Sequence, residues 1–128
     1  MRHNRSSEDY LETILILSQK LPVVRSVDIA TELNFSKPSV SVAMKHLRED
    51  DCIVVSQAGF ITLTEKGMQI ATSVYERHQV LSNWLISLGV DPVIASEDAC
   101  EMEHQISDES FQAMKKFIEE HTTTIIVE

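Results

Sequence analysis

Six side chains with metal-ligand chemistry stand at helical spacings in this sequence. Asp9 and Glu12 are three residues apart, Cys100, Glu103 and His104 follow one another as i, i+3 and i+4, and His78 lies between the two sets. Residues three and four apart share a helix face, so each set converges. Carboxylate, imidazole and one thiolate are donors suited to a divalent transition metal. Singly, each residue has an ordinary reading: Asp9 as the third-position acid of a capping box, Glu12 as a solvated acid, Cys100 as a small buried hydrophobe and His78 as a polar-face histidine. Together, Cys, Glu and His interrupting one apolar helix face point to a cation, because burying them uncompensated is costly.

The elements that must position these groups follow from periodicity and punctuation. Ser6, three residues before Asp9, reads as a cap for an amphipathic helix carrying Leu11, Ile14, Leu15 and Leu17, ending near Lys20 before Pro22. Ser26 caps a short helix with Ile29, Ala30 and Leu33, and Asn34 tolerates the left-handed turn that stops it. Ser36 caps the next helix, with Pro38 in its first turn. Two β-rich runs, Ile53–Val55 and Phe60–Leu63, flank Ser56-Gln57-Ala58-Gly59 and read as a hairpin. Helix, helix-turn-helix and hairpin in this order predict a winged helix-turn-helix. Beyond it the spacing predicts a long helix over 64–88 stopped by Gly89, a helix from Asp91-Pro92 to about Gln105, and a last helix capped by Ser107. The tail, 122–128, receives no role. The fold expected is mainly α, with a winged helix-turn-helix over 1–66 and a helical domain over 67–128.

A second set of candidates lies on the third helix. Val40, Ala43, Met44 and Leu47 fall on one arc and must face the core, which turns Pro38, Ser41, Val42, Lys45 and Glu49 outward. Arg25, Lys37 and Lys45, with the helix N-terminus at Ser36, suit DNA phosphates, whereas Pro38 and Val42, with the hydroxyls of Ser36, Ser39 and Ser41, suit base edges. No Arg, Asn or Gln on that face offers a bidentate base contact, so thymine methyls are the natural complement. The hairpin carries no basic residue, and Val42 is also readable as incidental surface.

Composition is consistent with this but does not select it. The chain has 128 residues, 43% apolar and 24% charged, with 3 Gly, 3 Pro and a net charge of −9. That charge opposes nucleic-acid binding until it is divided: residues 1–66 hold 8 Lys/Arg against 9 Asp/Glu, and residues 67–128 hold 3 against 11. Only 5% aromatics and few turn residues argue against an all-β sandwich. There is no long apolar run and no signal-type leader, so neither a spanning helix nor secretion is expected, and a cytoplasmic location is. Cys52 and Cys100 then predict no disulfide framework.

Several segments match a known family in order and spacing: Ser7-Glu8-Asp9-Tyr10-Leu11-Glu12, Val27-Asp28-Ile29-Ala30, Ser36-Lys37-Pro38-Ser39-Val40-Ser41, Leu63-Thr64-Glu65-Lys66-Gly67, Glu76-Arg77-His78 and Asp98 through Ser107. They resemble the diphtheria toxin repressor and manganese transport regulator family of metal-dependent transcriptional repressors over residues 6 to about 120. The resemblance implies a homodimer whose affinity for a pseudo-palindromic double-stranded operator rises with Mn(II) or Fe(II), controls metal-homeostasis genes, and lacks the third, SH3-like domain of longer relatives. Asp9, Glu12, His78, Cys100, Glu103 and His104 all fall where the family places ligands. The set is mixed: Asp9 and Glu12 look like the manganese-responsive branch and Cys100 like the iron-responsive one. Ser82 and Ser96 stand where the iron branch uses Glu and His for an extra site, which favours a manganese-type arrangement. Co(II) and Zn(II) are expected to bind in vitro, following intrinsic affinity order.

The physical logic is that the carboxylates of Asp9, Glu12 and Glu103 repel without a cation, so the first helix docks poorly on the fourth and fifth until a divalent ion neutralises them. Helices four to six would supply the dimer core, through the stripe of Leu81, Trp84, Leu85 and Leu88. Two readings compete with this one. In the first, a winged-helix regulator senses an organic ligand and the Cys/Glu/His cluster is structural. The second, a small metal hydrolase, is disfavoured because no phosphate loop and no nucleophile–base pair is present, so the chain is not expected to be an enzyme.

Overall fold

The computed structural model describes residues 4–126, with side chains through His121. It contains six helices and one hairpin: α1 (Arg5–Lys20), α2 (Ser26–Leu33), α3 (Lys37–Glu49), β1 (Ile53–Val55), β2 (Ile61–Leu63), α4 (Glu65–Ser87), α5 (Pro92–Met102) and α6 (Asp108–Ile126). The chain divides into two compact units, Met1–Val74 and Tyr75–Glu128, and the division falls inside α4.

The first unit is a winged helix. Asn4 rather than Ser6 caps α1: its side-chain oxygen accepts the Ser7 N–H at 2.8 Å, starting the helix at Arg5. Either residue type satisfies a first-turn donor, and the earlier one captures the helix. The helix stops at Lys20 as expected. On α2, Ser26 is the first helical residue and not the cap; the Asp28 carboxylate accepts the Arg25 N–H at 2.8 Å instead. Asn34 closes α2 in the left-handed conformation, φ 57°, as its type allows. Ser36 caps α3, its Oγ accepting the Ser39 N–H at 3.3 Å, with Pro38 in the first turn. Leu11, Ile14, Ile29, Val40 and Ile53 are fully buried and join the three helices to the hairpin.

The hairpin pairs antiparallel with Ile53 opposite Leu63 and Val55 opposite Ile61. Phe60 lies outside the strand and shapes the turn: its N–H donates to Ser56 Oγ at 3.1 Å, and its carbonyl accepts the Ser56 N–H at 3.0 Å. The Ile61 N–H reaches back to the Val24 carbonyl at 2.8 Å, tying the wing to the segment that leads into α2. Thr64 Oγ1 then accepts the Gly67 N–H at 3.1 Å to start α4. A side chain at Gly67 would overlap the carbonyl oxygen of Cys52, so this close approach of helix to strand admits only glycine.

The second unit holds the rest of α4 with α5 and α6 around Leu81, Ala99 and Phe111, with Val80, Met102, Ile106 and Met114 packed on them. Gly89 ends α4's turn at φ +99°, and Asp91 caps α5 by accepting the Val93 N–H at 3.0 Å. Ser107 Oγ accepts the Ser110 N–H at 3.1 Å and opens α6. Helix α5 stops at Met102, three residues short of the expected end. Glu103 keeps helical angles, φ −61° and ψ −26°, so its relation to Cys100 survives, while His104 falls in the following turn. Leu81 is fully buried in this unit's own core, so it is not part of a free stripe; Trp84 and Leu85 are half-buried and Leu88 is exposed. The tail's side chains, from Thr122 on, lie outside the described residues.

Candidate metal centre and nucleic-acid interface

In the second unit, α4 supplies His78 and the end of α5 supplies Cys100, Glu103 and His104. The focus is Glu103, a carboxylate 1% exposed. Its Oε2 lies 3.1 Å from Nδ1 of His78, and its Oε1 lies 3.3 Å from Nε2 of His104. The first contact is a hydrogen bond. The second has ion-pair distance without hydrogen-bond geometry, so Oε1 accepts no hydrogen bond from the described residues. One donor atom each from Cys100, Glu103 and His104 falls within 4.8 Å of the others.

A buried carboxylate oxygen lacking a hydrogen bond is costly, and imidazoles in their neutral form do not cancel its charge. A divalent cation satisfies both demands, and the donor set of carboxylate, imidazole and thiolate fits Mn²⁺, Fe²⁺, Co²⁺ or Zn²⁺. The residues present therefore fit a metal.

The other face of the His78 ring meets Ser96, whose Oγ lies 3.4 Å from Nε2. Ser82, one turn after His78 on α4, is buried. Beside His78 and Cys100 an open cavity of about 850 Å³ is lined also by Pro92, Val93, Glu97, Asp98 and Glu101.

Two contributors were not recognisable as such from sequence patterns. Arg77 occurs in a matched segment but has no role there; in the structure its guanidinium binds the carbonyls of Glu103 and Ile106. Ser96 as the partner of His78 also has no periodic signal, since the two are 18 residues apart on different helices.

In the first unit, Asp9 and Glu12 are half-buried on α1, one turn apart, and Arg5 Nε lies 3.9 Å from Asp9 Oδ2. On α3 the outward arc is as expected: Val40, Met44 and Leu47 are buried, while Ser36, Lys37, Pro38, Ser39, Ser41, Val42 and Lys45 are all exposed. Val42 is 56% exposed, far above what a core-facing valine shows. The Ser36 hydroxyl donates to Ser39 Oγ at 2.8 Å, which orders the first turn of the helix. Arg25 is exposed and its guanidinium carbon sits 4.9 Å from the centroid of the Phe60 ring in the turn of the wing, a cation–π contact that restricts a long side chain. Phe60 was not among the expected functional residues; an aromatic residue in a hairpin run reads only as strand.

A winged helix presenting an exposed, hydroxyl-rich first turn, followed by a helical unit with a buried carboxylate between two imidazoles, defines a metal-dependent DNA-binding transcriptional regulator. Residues 4–59 match the N-terminal DNA-binding domain of the iron-dependent repressors, and residues 64–124 match their metal-binding and dimerisation domain. The chain belongs to the iron-dependent repressor family. It is 37% identical to the transcriptional regulator MntR of Escherichia coli O6:H1 over 114 residues, covering 89% of this chain and 74% of that protein. It is 33% identical to the HTH-type transcriptional regulator MntR of Listeria monocytogenes serotype 4a, covering 91% and 84%. The solved structure of the manganese regulator SloR superposes with a TM-score of 0.78 at 30% identity, over 93% of this chain and 55% of that one, so the chain spans about half of that relative's length. These relatives are named as regulators. Among the described residues no helix is long and apolar enough to cross a membrane.

Proposed function

We propose that this protein is a repressor of metal-homeostasis genes whose operator affinity is raised by Mn²⁺ or Fe²⁺, with Co²⁺ and Zn²⁺ able to substitute in vitro. The observation that carries this reading is Glu103, buried and set against His78 and His104, with one oxygen that accepts no hydrogen bond from the described residues. Glu103, His78, His104 and Cys100 are assigned as ligands, and Asp9 and Glu12, one turn apart on α1, complete the set. The cation supplies positive charge that offsets these carboxylates and lets α1 dock.

DNA binding is assigned to residues 1–66, and metal binding and dimerisation to residues 67–128. Arg25, Lys37 and Lys45 hold phosphates; Ser36, Pro38, Ser39, Ser41 and Val42 face the bases, and a pseudo-palindromic double-stranded operator follows from twofold symmetry. The homodimer is supported by the apolar surface at the junction of α4 and α5, where Ile86, Leu88, Val93 and Ile94 are all exposed. A cytoplasmic location accompanies this role. The deciding experiment is operator binding titrated with Mn²⁺, Fe²⁺, Co²⁺ and Zn²⁺ under anaerobic, metal-buffered conditions. Metal-independent affinity overturns the proposal.

A further inference from the structure

Arg77 directly precedes His78 on α4, and its side chain is only 13% exposed. Its Nη1 donates to the carbonyl oxygens of Glu103 at 3.2 Å and Ile106 at 2.8 Å, and its Nη2 lies 3.5 Å from Oδ1 of Asp108. The guanidinium carbon stands 5.3 Å from the centroid of the Phe111 ring. One planar group therefore ties the end of α5, the turn after it and the start of α6 to α4.

The consequence for the metal centre lies in the order of these contacts. Consecutive residues of α4 act on the same residue, Arg77 on the backbone carbonyl of Glu103 and His78 on its carboxylate. The last carbonyls of a helix have no partner within the helix, and a cation near them is favourable. Here that role falls to a group 26 residues away, and the segment it holds contains both Glu103 and His104. Without the guanidinium, the carbonyls of Glu103 and Ile106 lose the donor that joins them to α4, and the Glu103 carboxylate is held against His78 less firmly. A lysine preserves the charge but not the fork, because an ammonium is a point donor without planar, fixed N–H directions.

We propose that Arg77 is a positioning residue for the metal centre: it touches no metal, and it holds Glu103 and His104 in the arrangement that accepts a divalent cation. This rests on the ligand assignment above and extends it.

The test measures Co²⁺ and Mn²⁺ affinity of the full chain, the visible spectrum of the Co²⁺ form, and amide exchange of residues 103–106 without metal. Arg77→Lys and Arg77→Gln are compared with the parent, with Glu103→Gln, and with Lys115→Met. The last removes a different α4–α6 tie, the 3.1 Å pair of Lys115 with Glu76. Both Arg77 variants should lose about 10- to 100-fold in metal affinity, as outer partners of metal ligands do. They should also show an altered Co²⁺ spectrum and faster exchange at 103–106, yet reach the parent's operator affinity at saturating metal. Lys115→Met should bind metal as the parent does. An unchanged affinity and spectrum in the Arg77 variants, with Glu103→Gln impaired, overturns the positioning role and leaves the ligand assignment standing. An equal loss in Lys115→Met also overturns it, by making the effect general loosening. Parental metal affinity in Glu103→Gln instead overturns the ligand assignment itself.

Discussion

Replacing Lys45 with alanine isolates the electrostatic part of operator binding. Lys45 is exposed on α3, four residues after Ser41 and three after Val42, on the arc that turns away from the buried Val40, Met44 and Leu47. Each phosphate neutralised by a basic side chain contributes about −0.9 to the slope of log affinity against log salt. A dimer carries two copies of Lys45, so its removal should reduce the magnitude of the slope by about 1.8. Raising salt fourfold, from about 50 to about 200 mM, should then cost the variant about twelvefold less affinity than it costs the parent. The deficit of the variant is largest at low salt and closes as salt rises. Arg25→Ala should be the more damaging change, because the Phe60 ring already restricts Arg25, whereas Lys45 loses up to about 2 kcal/mol of side-chain freedom when it docks. Fluorescence anisotropy with saturating Mn²⁺, across five salt concentrations and on both operator and scrambled duplexes, gives both slopes. A phosphate contact carries no base information, so the loss should be equal on the two duplexes. An unchanged slope, or a loss confined to the operator, refutes the reasoning.

Val42→Gln should introduce a preference for adenine at one position per half-site, since an amide pairs with adenine in the major groove; a randomised operator library with unchanged selectivity would remove Val42 from the reading surface. Cys100→Ala should abolish activation by every metal, whereas Cys100→Glu should retain Mn²⁺ activation while the advantage of Co²⁺ and Zn²⁺ shrinks, measured as operator affinity at buffered metal; a fully metal-responsive Cys100→Ala protein removes the thiol from the ligand set. The two thiols should also differ in reactivity. Burial pushes the Cys52 thiol up, with Asp50 and Asp51 adding to that and Lys66 opposing it, so little thiolate forms at pH 8, whereas Cys100 is half-buried. Maleimide labelling followed by mass spectrometry should modify Cys100 first, Cys52 only on unfolding, and Cys100 more slowly once Mn²⁺ is added; equal rates at the two thiols would contradict this.

The parts of the fold that were legible in the sequence are those fixed by local chemistry. Asn34, Ser36 with Pro38, Gly89, and Asp91 with Pro92 each require one conformation or satisfy one set of donors, and each acts where its type indicates. Where two residues of equal capping ability stand close together, as Asn4 and Ser6 do, residue type does not rank them. The end of α5 is different in kind. Between Met102 and Ser107 there is no glycine and no proline, and the helical pattern runs on; Arg77, distant in sequence, takes the carbonyls that another helical turn would have used. The stripe on α4 is divided for a related reason. Periodicity places Leu81, Trp84, Leu85 and Leu88 on one side, but only packing decides that Leu81 belongs to Ala99 and Phe111 while Leu88 stays exposed.

The candidate centre was legible because the spacing of Cys100, Glu103 and His104 predicts convergence, and their donor atoms do converge although His104 lies in the turn beyond α5; the structure adds which of those atoms have partners. Ser96 is the informative case. Its hydroxyl lies against Nε2 of His78 while Nδ1 faces Glu103, so the two ring nitrogens have separate tasks. With Nδ1 protonated and donating to Glu103, Nε2 accepts from the serine hydroxyl. Were Nδ1 to hold a metal, the ring proton would sit on Nε2 and the same hydroxyl would accept a hydrogen bond from it. A hydroxyl serves both tautomers because it can donate or accept, whereas a carboxylate there would favour only the second. Hydrogen bonding of the distal nitrogen is what fixes the orientation of a ligating imidazole. Serine at this position would therefore support His78 as a ligand of the proposed centre while itself being a poor donor for a second ion, and that is the physical ground for proposing a centre built around Glu103 and not around Nε2 of the ring.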